Sequence, residues 1–333
     1  MMLSSVQVQV QVLFCLTLAT GALASALPSR HPITSSSEAP LPLVIWHGLG
    51  DNYQADGLLA VGDLAQEIYP NTFVYNIRLD SDPGSDRTAT FFGNVTLQVD
   101  QVCSDLASNP ILSRAPAINA LGFSQGGQFL RAYIERCNSP PVRTLVTFGS
   151  QHNGIRDFRS CGATDFVCRG ALGLLKSNTW SDFVQSRVVP AQYYRDADDL
   201  ETYLEHSNFL ADINNERNSK NTTYKKNLST LERFVMFAFS EDTTVIPKET
   251  AWFAEVNATT GKVTPLRERD IYGEDWLGLK ALDKEGRLEF LTAKGDHMEL
   301  SESLLNETFR RYFGPTGKEV MLQDEQYRLQ EQL

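Results

Sequence analysis

AINALGFSQGGQFLRAY, residues 117–133, carries both an architecture and a chemistry. Its first residues form an apolar run of strand length, after which Phe129, Tyr133 and Cys137 recur at helical spacing. Between the two lies Gly122-Phe123-Ser124-Gln125-Gly126, a G-x-S-x-G pattern set where a strand turns sharply into a helix. A serine there sits at the helix N-terminus with its hydroxyl exposed. Glycine is needed two residues to either side, because side chains would collide with the serine and with neighbouring backbone. The plain alternative is a Gly-rich turn with Ser124 as a helix cap; the strand before and the helix after favour a nucleophile.

Outward from this stretch, LPLVIW (41–46), FVYNI (73–77), LVTFG (145–149), FVMFAF (234–239) and LEFL (288–291) also read as strands. Val95, Val99, Val102 and Leu106 fall on one helical face between them. Strands alternating with helices predict an α/β fold, a mostly parallel central sheet with helices on both faces. The alternation breaks over 151–231, read as an insertion that caps one end of the sheet and shapes a substrate site. The catalytic domain is expected to span 41–314, after a Pro- and Ser-rich linker at 27–40 and before a polar tail at 315–333.

A serine nucleophile needs a base and an orienting acid, in the chain order Ser, Asp or Glu, His. Of five histidines only His297 lies beyond the last strand, in Gly295-Asp296-His297 before a helical pattern. It is the expected base. Ser240-Glu241-Asp242 follows FVMFAF directly; Asp242 is preferred to Glu241, with Asp270, Asp275 and Asp283 as fallbacks. Two backbone N–H donors should face the oxyanion. Gln125 supplies one, and Trp46-His47-Gly48-Leu49-Gly50-Asp51 the other, through Leu49 or alternatively Gly48. His47 is read as a structural imidazole bracing that loop.

The 333 residues are 42% hydrophobic, enough for a full core, and the net charge of -11 repels phosphate backbones, which excludes a nucleic-acid partner. Leu13 to Leu23 is too short to span a bilayer comfortably and is followed by Ala24-Ser25-Ala26, so residues 1–26 read as a signal peptide, although no Lys or Arg precedes the apolar run. No other apolar run approaches membrane-spanning length, so stable membrane insertion is not expected. Cleavage would leave Cys103, Cys137, Cys161 and Cys168, an even set suited to an oxidising compartment. Cys161 and Cys168 are close enough for a local clip; Cys103 and Cys137 should then pair, each ending a helix that flanks the Ser124 strand. No zinc-type ligand cluster or cofactor motif accompanies them: no metal and no cofactor are expected. Sequons at Asn94, Asn221, Asn227, Asn257 and Asn306 agree with a glycosylating secretory route.

At this point VIWHGLGDNY, LGFSQGGQFLRAYIERC, FGSQHNG, SNFLADINNERN with the following YKKNL, LGLKALDKEGRLEFL and GDHMELSE are together similar to one family, the lysosomal palmitoyl-protein thioesterases of type 1. The likeness runs from Leu43 to about Phe313. It implies an α/β-hydrolase fold, removal of long-chain fatty acyl groups from cysteine thioesters of proteins or peptides, and an insertion that builds the acyl groove. It places the nucleophile on Ser124, the acid on Asp242 and the base on His297. Two departures stand out: Asp51-Asn52-Tyr53 where family members often carry adjacent cysteines, and Ile246 where an acidic residue is often seen. For the acyl groove we single out the insertion aromatics Trp180, Phe183, Tyr194 and Phe209, although core packing is the commoner fate of any one of them. The expected protein is a monomer of the secretory pathway, in the lysosome or vacuole or secreted. A lipase or carboxylesterase acting on oxygen esters, or a non-catalytic secreted lipid-binding protein, are the alternatives.

Overall fold

The computed structural model describes residues 39–314, apart from 159, 160 and 163. The expected signal peptide, nearly all of the linker and the polar tail lie outside the described residues. Six strands form the central sheet: β1 (Leu43–Trp46), β2 (Val74–Asn76), β3 (Ile118–Phe123), β4 (Val142–Phe148), β5 (Arg233–Phe239) and β6 (Leu288–Ala293). Their order is β2-β1-β3-β4-β5-β6 and every neighbouring pair is parallel, with Trp46 opposite Gly122, Phe148 opposite Phe237 and Ala293 opposite Phe239. Each coincides with one of the six apolar runs.

The helices that matter for the site are α1 (Asp56–Ile68), α2 (Pro83–Ala89), α3 (Val95–Ser108), α4 (Gln125–Arg136), α5 (Phe166–Ser177), α6 (Thr222–Leu228) and α7 (Glu302–Tyr312). Because strand side chains alternate, the sheet has two apolar faces. Val44, Trp46, Ile118, Ala120, Phe234 and Met236 pack with α3, α4 and α6. Leu43, Ile45, Leu121, Phe123, Val235 and Phe237 pack with α1 and α7. Burial on both faces explains why the four inner runs read as largely apolar rather than alternating, while the edge strands β2 and β6 are half-buried. Each fully buried large side chain, such as Phe129 or Phe234, contributes roughly 1.5–3 kcal/mol. The α/β-hydrolase arrangement is thus present.

The residues between β4 and β5 do not behave as one cap. Helix α5 and the segment up to Tyr193 build a small core of their own, with Ala171, Leu175, Val184, Val188 and Ala191 packed on Phe91. Helix α6 instead returns to α4, where Asn227 Nδ2 donates to the Glu135 carbonyl and the Tyr224 hydroxyl bonds Asp212. Two disulfides are formed. Cys103–Cys137 joins α3 to the C-cap of α4, Cα atoms 6.0 Å apart, enclosing β3 in a loop of sequence separation 34. Cys161–Cys168 clips the start of α5 at 5.8 Å. Cys137 ends its helix as expected, but Cys103 sits inside α3, which continues to Ser108 because Leu106 is still buried.

Candidate active site

Ser124 stands between β3 and α4 with φ 50° and ψ -124°, a conformation that L residues avoid. The turn is that tight because α4 must start directly over the end of β3. A Cβ on Gly122 would lie 2.2 Å from Gly127 Cα, and one on Gly126 would lie 2.3 Å from the Trp46 carbonyl oxygen. The glycines are thus required by backbone neighbours rather than by the serine itself.

His297 comes from the loop after β6 and Asp242 from the loop after β5. Ser124 Oγ is 3.0 Å from His297 Nε2, and His297 Nδ1 is 2.8 Å from Asp242 Oδ2. The other Asp242 oxygen accepts the amides of Thr244 and Val245 at 2.9 and 2.8 Å, which fixes the carboxylate plane. The Asp242 side chain is 1% exposed and that of His297 10%. Gly149, just past β4 at φ 55°, leaves room for the imidazole: a Cβ there would be 3.0 Å from His297 Cε1. The two loops are stitched together by Asp296, whose carboxylate accepts from the Thr243 amide and from the His297 amide. Of the fallback acids, Asp275 pairs with Lys225 and Asp283 with Arg267.

The Gly48-Leu49-Gly50 loop passes against Ser124; a Cβ on Gly48 would be 3.2 Å from Ser124 Cβ. Among the described residues neither the Leu49 nor the Gln125 amide donates to a protein acceptor. His47 is buried and its Nε2 lies 3.0 Å from Asp86 Oδ2, a brace for the loop. Burial would push the Asp86 carboxyl up, but bonds from His47 and from the amides of Leu79 and Tyr53 outweigh it and hold the group below the usual range. Two further residues of this stretch hold the loop: Arg87 Nε donates to the Gly50 carbonyl at 2.9 Å, and the Gly50 amide donates to Thr90 Oγ1 at 2.9 Å. Sequence reading missed Asp86, Arg87 and Thr90, although their i, i+1, i+4 spacing on α2 and its C-cap put them on neighbouring positions.

Ser124 and His297 open into a cavity of about 690 Å³. Its apolar walls are Leu58 and Val61 of α1 and Ala171, Leu172 and Leu175 of α5, with Phe91 and Leu305. None of Trp180, Phe183, Tyr194 and Phe209 lines it, which corrects that expectation. Phe209 is fully buried against Phe129, Trp180 packs on Tyr194 and Tyr203, and Phe183 is 55% exposed with the Arg187 guanidinium over its ring. Of the four, Phe209 went to the core and Phe183 to the surface; the cavity is bordered instead by aliphatic side chains of α5, and the insertion aromatic that lines it is Tyr193. Among the sequon asparagines, Asn94 and Asn221 cap α3 and α6, Asn227 bonds Glu135, Asn257 is exposed and Asn306 lies on α7. None lines the cavity.

The family model for palmitoyl protein thioesterase matches residues 42–297, from the edge of β1 to His297 itself. The chain belongs to the palmitoyl protein thioesterase family. Similar family members include palmitoyl-protein thioesterase 1 of Caenorhabditis elegans, 38% identical over 82% of this chain and 92% of that one. Palmitoyl-protein thioesterase 3 of Dictyostelium discoideum is 32% identical over 78% and 86%. A Drosophila melanogaster protein named a lysosomal thioesterase is 28% identical over 76% and 84%. Membership of this thioesterase family makes the chain a hydrolytic enzyme. No group of three or more His, Cys, Asp or Glu suited to a metal ion exists among the described residues, and no helix there is long and apolar enough to cross a membrane.

Proposed function

We propose that the protein is a serine thioesterase that releases palmitoyl and related long-chain acyl groups from S-acylated cysteines of proteins or peptides. The observation that supports this most is the hydrogen-bonded series Ser124, His297, Asp242 opening into an apolar-walled cavity in a chain of the thioesterase family. His297 Nε2 takes the Ser124 proton as Oγ attacks the thioester carbonyl. Asp242 holds the proton on Nδ1, so that Nε2 is the free base. The oxyanion is received by the Leu49 and Gln125 amides. Collapse expels the cysteine sulfur as a thiolate, a good leaving group because its thiol has a pKa of about 8.5, and the proton held on His297 Nε2 passes to it, which frees the imidazole. Water, activated by His297, then attacks the acyl-Ser124 ester, releasing the fatty acid and restoring the hydroxyl.

The acyl chain would lie along α1 and α5, while Asp51, Arg87 and Asp165 give the cavity a polar rim for the cysteine's polypeptide. A lysosomal or secreted residence is supported by the two disulfides and by the name of the Drosophila relative. Turnover of a palmitoyl-cysteine peptide against its oxygen-ester analogue tests the reading. Preference for the thioester is expected; preference for the oxygen ester would make the protein an esterase. A fluorophosphonate probe that failed to label Ser124 would point to a lipid carrier.

A further inference from the structure

Arg87 makes two bonds in opposite directions. Its Nε donates to the Gly50 carbonyl at 2.9 Å, in the loop that carries the Leu49 amide. Its terminal nitrogen pairs with Asp165 Oδ2 at 2.6 Å. Asp165 is the N-cap of α5, its Oδ1 accepting from the Cys168 amide at 3.1 Å, and Cys168 is clipped to Cys161. The first turn of α5 is therefore held to Asp165 by the cap and, separately, to Cys161 by the disulfide. One and two turns further on, the same helix presents Ala171, Leu172 and Leu175 to the acyl cavity. The Cys168 amide, against slight burial and with the help of the Arg87 guanidinium, holds the Asp165 carboxyl below the usual range, so the pair stays charged in an acidic compartment.

A continuous mechanical connection thus runs from the acyl wall, through the N-cap of α5 and Arg87, to the glycine loop beside Ser124. Binding energy from a remote part of a substrate raises kcat only when it is realised in the transition state, and this requires such a connection to the reacting carbonyl. We propose that Arg87 is a positioning residue that couples occupancy of the acyl groove to the oxyanion loop, so that a long acyl chain is recognised in kcat and not only in KM. The proposal rests on the thioesterase reading and on the Leu49 amide as an oxyanion donor.

The test uses mature protein and cysteine peptides S-acylated with butyryl, octanoyl or palmitoyl groups. For the wild type, kcat should rise with chain length. Asp165→Asn keeps the cap, because Asn is as good an N-cap as Asp, and removes the negative charge that pairs with Arg87. It should lower the palmitoyl to butyryl ratio of kcat about three- to fivefold, the range open to a partly exposed ion pair worth up to about 1 kcal/mol. Arg87→Lys should lose the same ratio, since one ammonium cannot serve both Gly50 and Asp165. Melting temperatures report whether either variant is misfolded, and the wild-type chain-length series stands without them. Equal loss at all chain lengths, a change confined to KM, a normal ratio in Arg87→Lys, or a wild-type kcat indifferent to chain length would each overturn the coupling. No acyl release by the wild type from any of the three peptides would instead remove the thioesterase reading beneath it.

Discussion

At Ser124 the backbone and the side chain make opposing demands. A residue with a Cβ at φ 50° and ψ -124° costs roughly 1–3 kcal/mol, and glycine at such a position costs at most about 1 kcal/mol in chain entropy. Ser124→Ala should abolish acyl release and melt close to the wild type. Ser124→Gly should be equally inactive and melt higher. A glycine variant no more stable than the alanine one would show that the elbow is unstrained. Asp242→Asn makes a second point. Its Oδ1 would still accept from Thr244 and Val245, which turns the amide NH2 toward His297 Nδ1 and forces the imidazole proton onto Nε2. The base is then in the wrong tautomer, and kcat should fall by about 10⁴ with the fold intact. If Asp283→Asn were the damaging change and Asp242→Asn harmless, the orienting acid has been misassigned.

Among the elements, the four inner strands were legible because they are buried on both faces and so read as largely apolar runs, the half-buried edge strands β2 and β6 from their place in the alternation, and α4 because its pattern follows the G-x-S-x-G turn directly. What escaped was whatever depends on which elements meet. The cavity wall could not be read because core and cavity both select apolar residues; only packing decides that Phe209 fills space and Leu175 borders it. Helix α2 was invisible as a brace because its partners, His47 and Gly50, are some 40 residues distant. The disulfides separate two kinds of element. On the chain-entropy model the Cys103–Cys137 loop contributes about 4 kcal/mol and the Cys161–Cys168 clip about 2.5 kcal/mol. Replacing the first pair by serine should therefore cut secretion and lower the urea midpoint more. Replacing the second should chiefly impair turnover of palmitoyl substrates, in kcat as well as in KM, through α5. Reversed effects in a secretion assay would mean that the cap, rather than the β3 loop, limits folding.

Over the whole molecule, two buried groups make stability depend on pH in opposite senses. His152 is fully buried, stacked on Phe253, with Nδ1 accepting from Arg131 and Nε2 bonded to Thr147. Burial and then the Arg131 cation hold it well below the usual histidine value of 6.5. Its contribution is therefore complete above about pH 6.5 and is lost as pH falls below that. Glu135, beside the same arginine, is pushed up to about 7 by burial against the pull of Arg131, so its contribution is present in acid and is lost as pH rises toward 7. The two slopes oppose each other between pH 5 and 7. His152→Gln should thus shrink the loss of stability on going from pH 7 to pH 5, read as the shift in urea midpoint; an unchanged or larger loss would contradict the buried neutral imidazole. The strand order β2-β1-β3-β4-β5-β6 has a different kind of consequence. From β4 onward each strand joins the edge left by its predecessor, so the sheet can grow while the ribosome is still working. The roughly 85 residues between β4 and β5 interrupt that growth. At about 5–20 residues per second the nascent chain carries β4 as an unpaired parallel edge for about 4–17 s, an interval in which chaperone capture and aggregation compete for it.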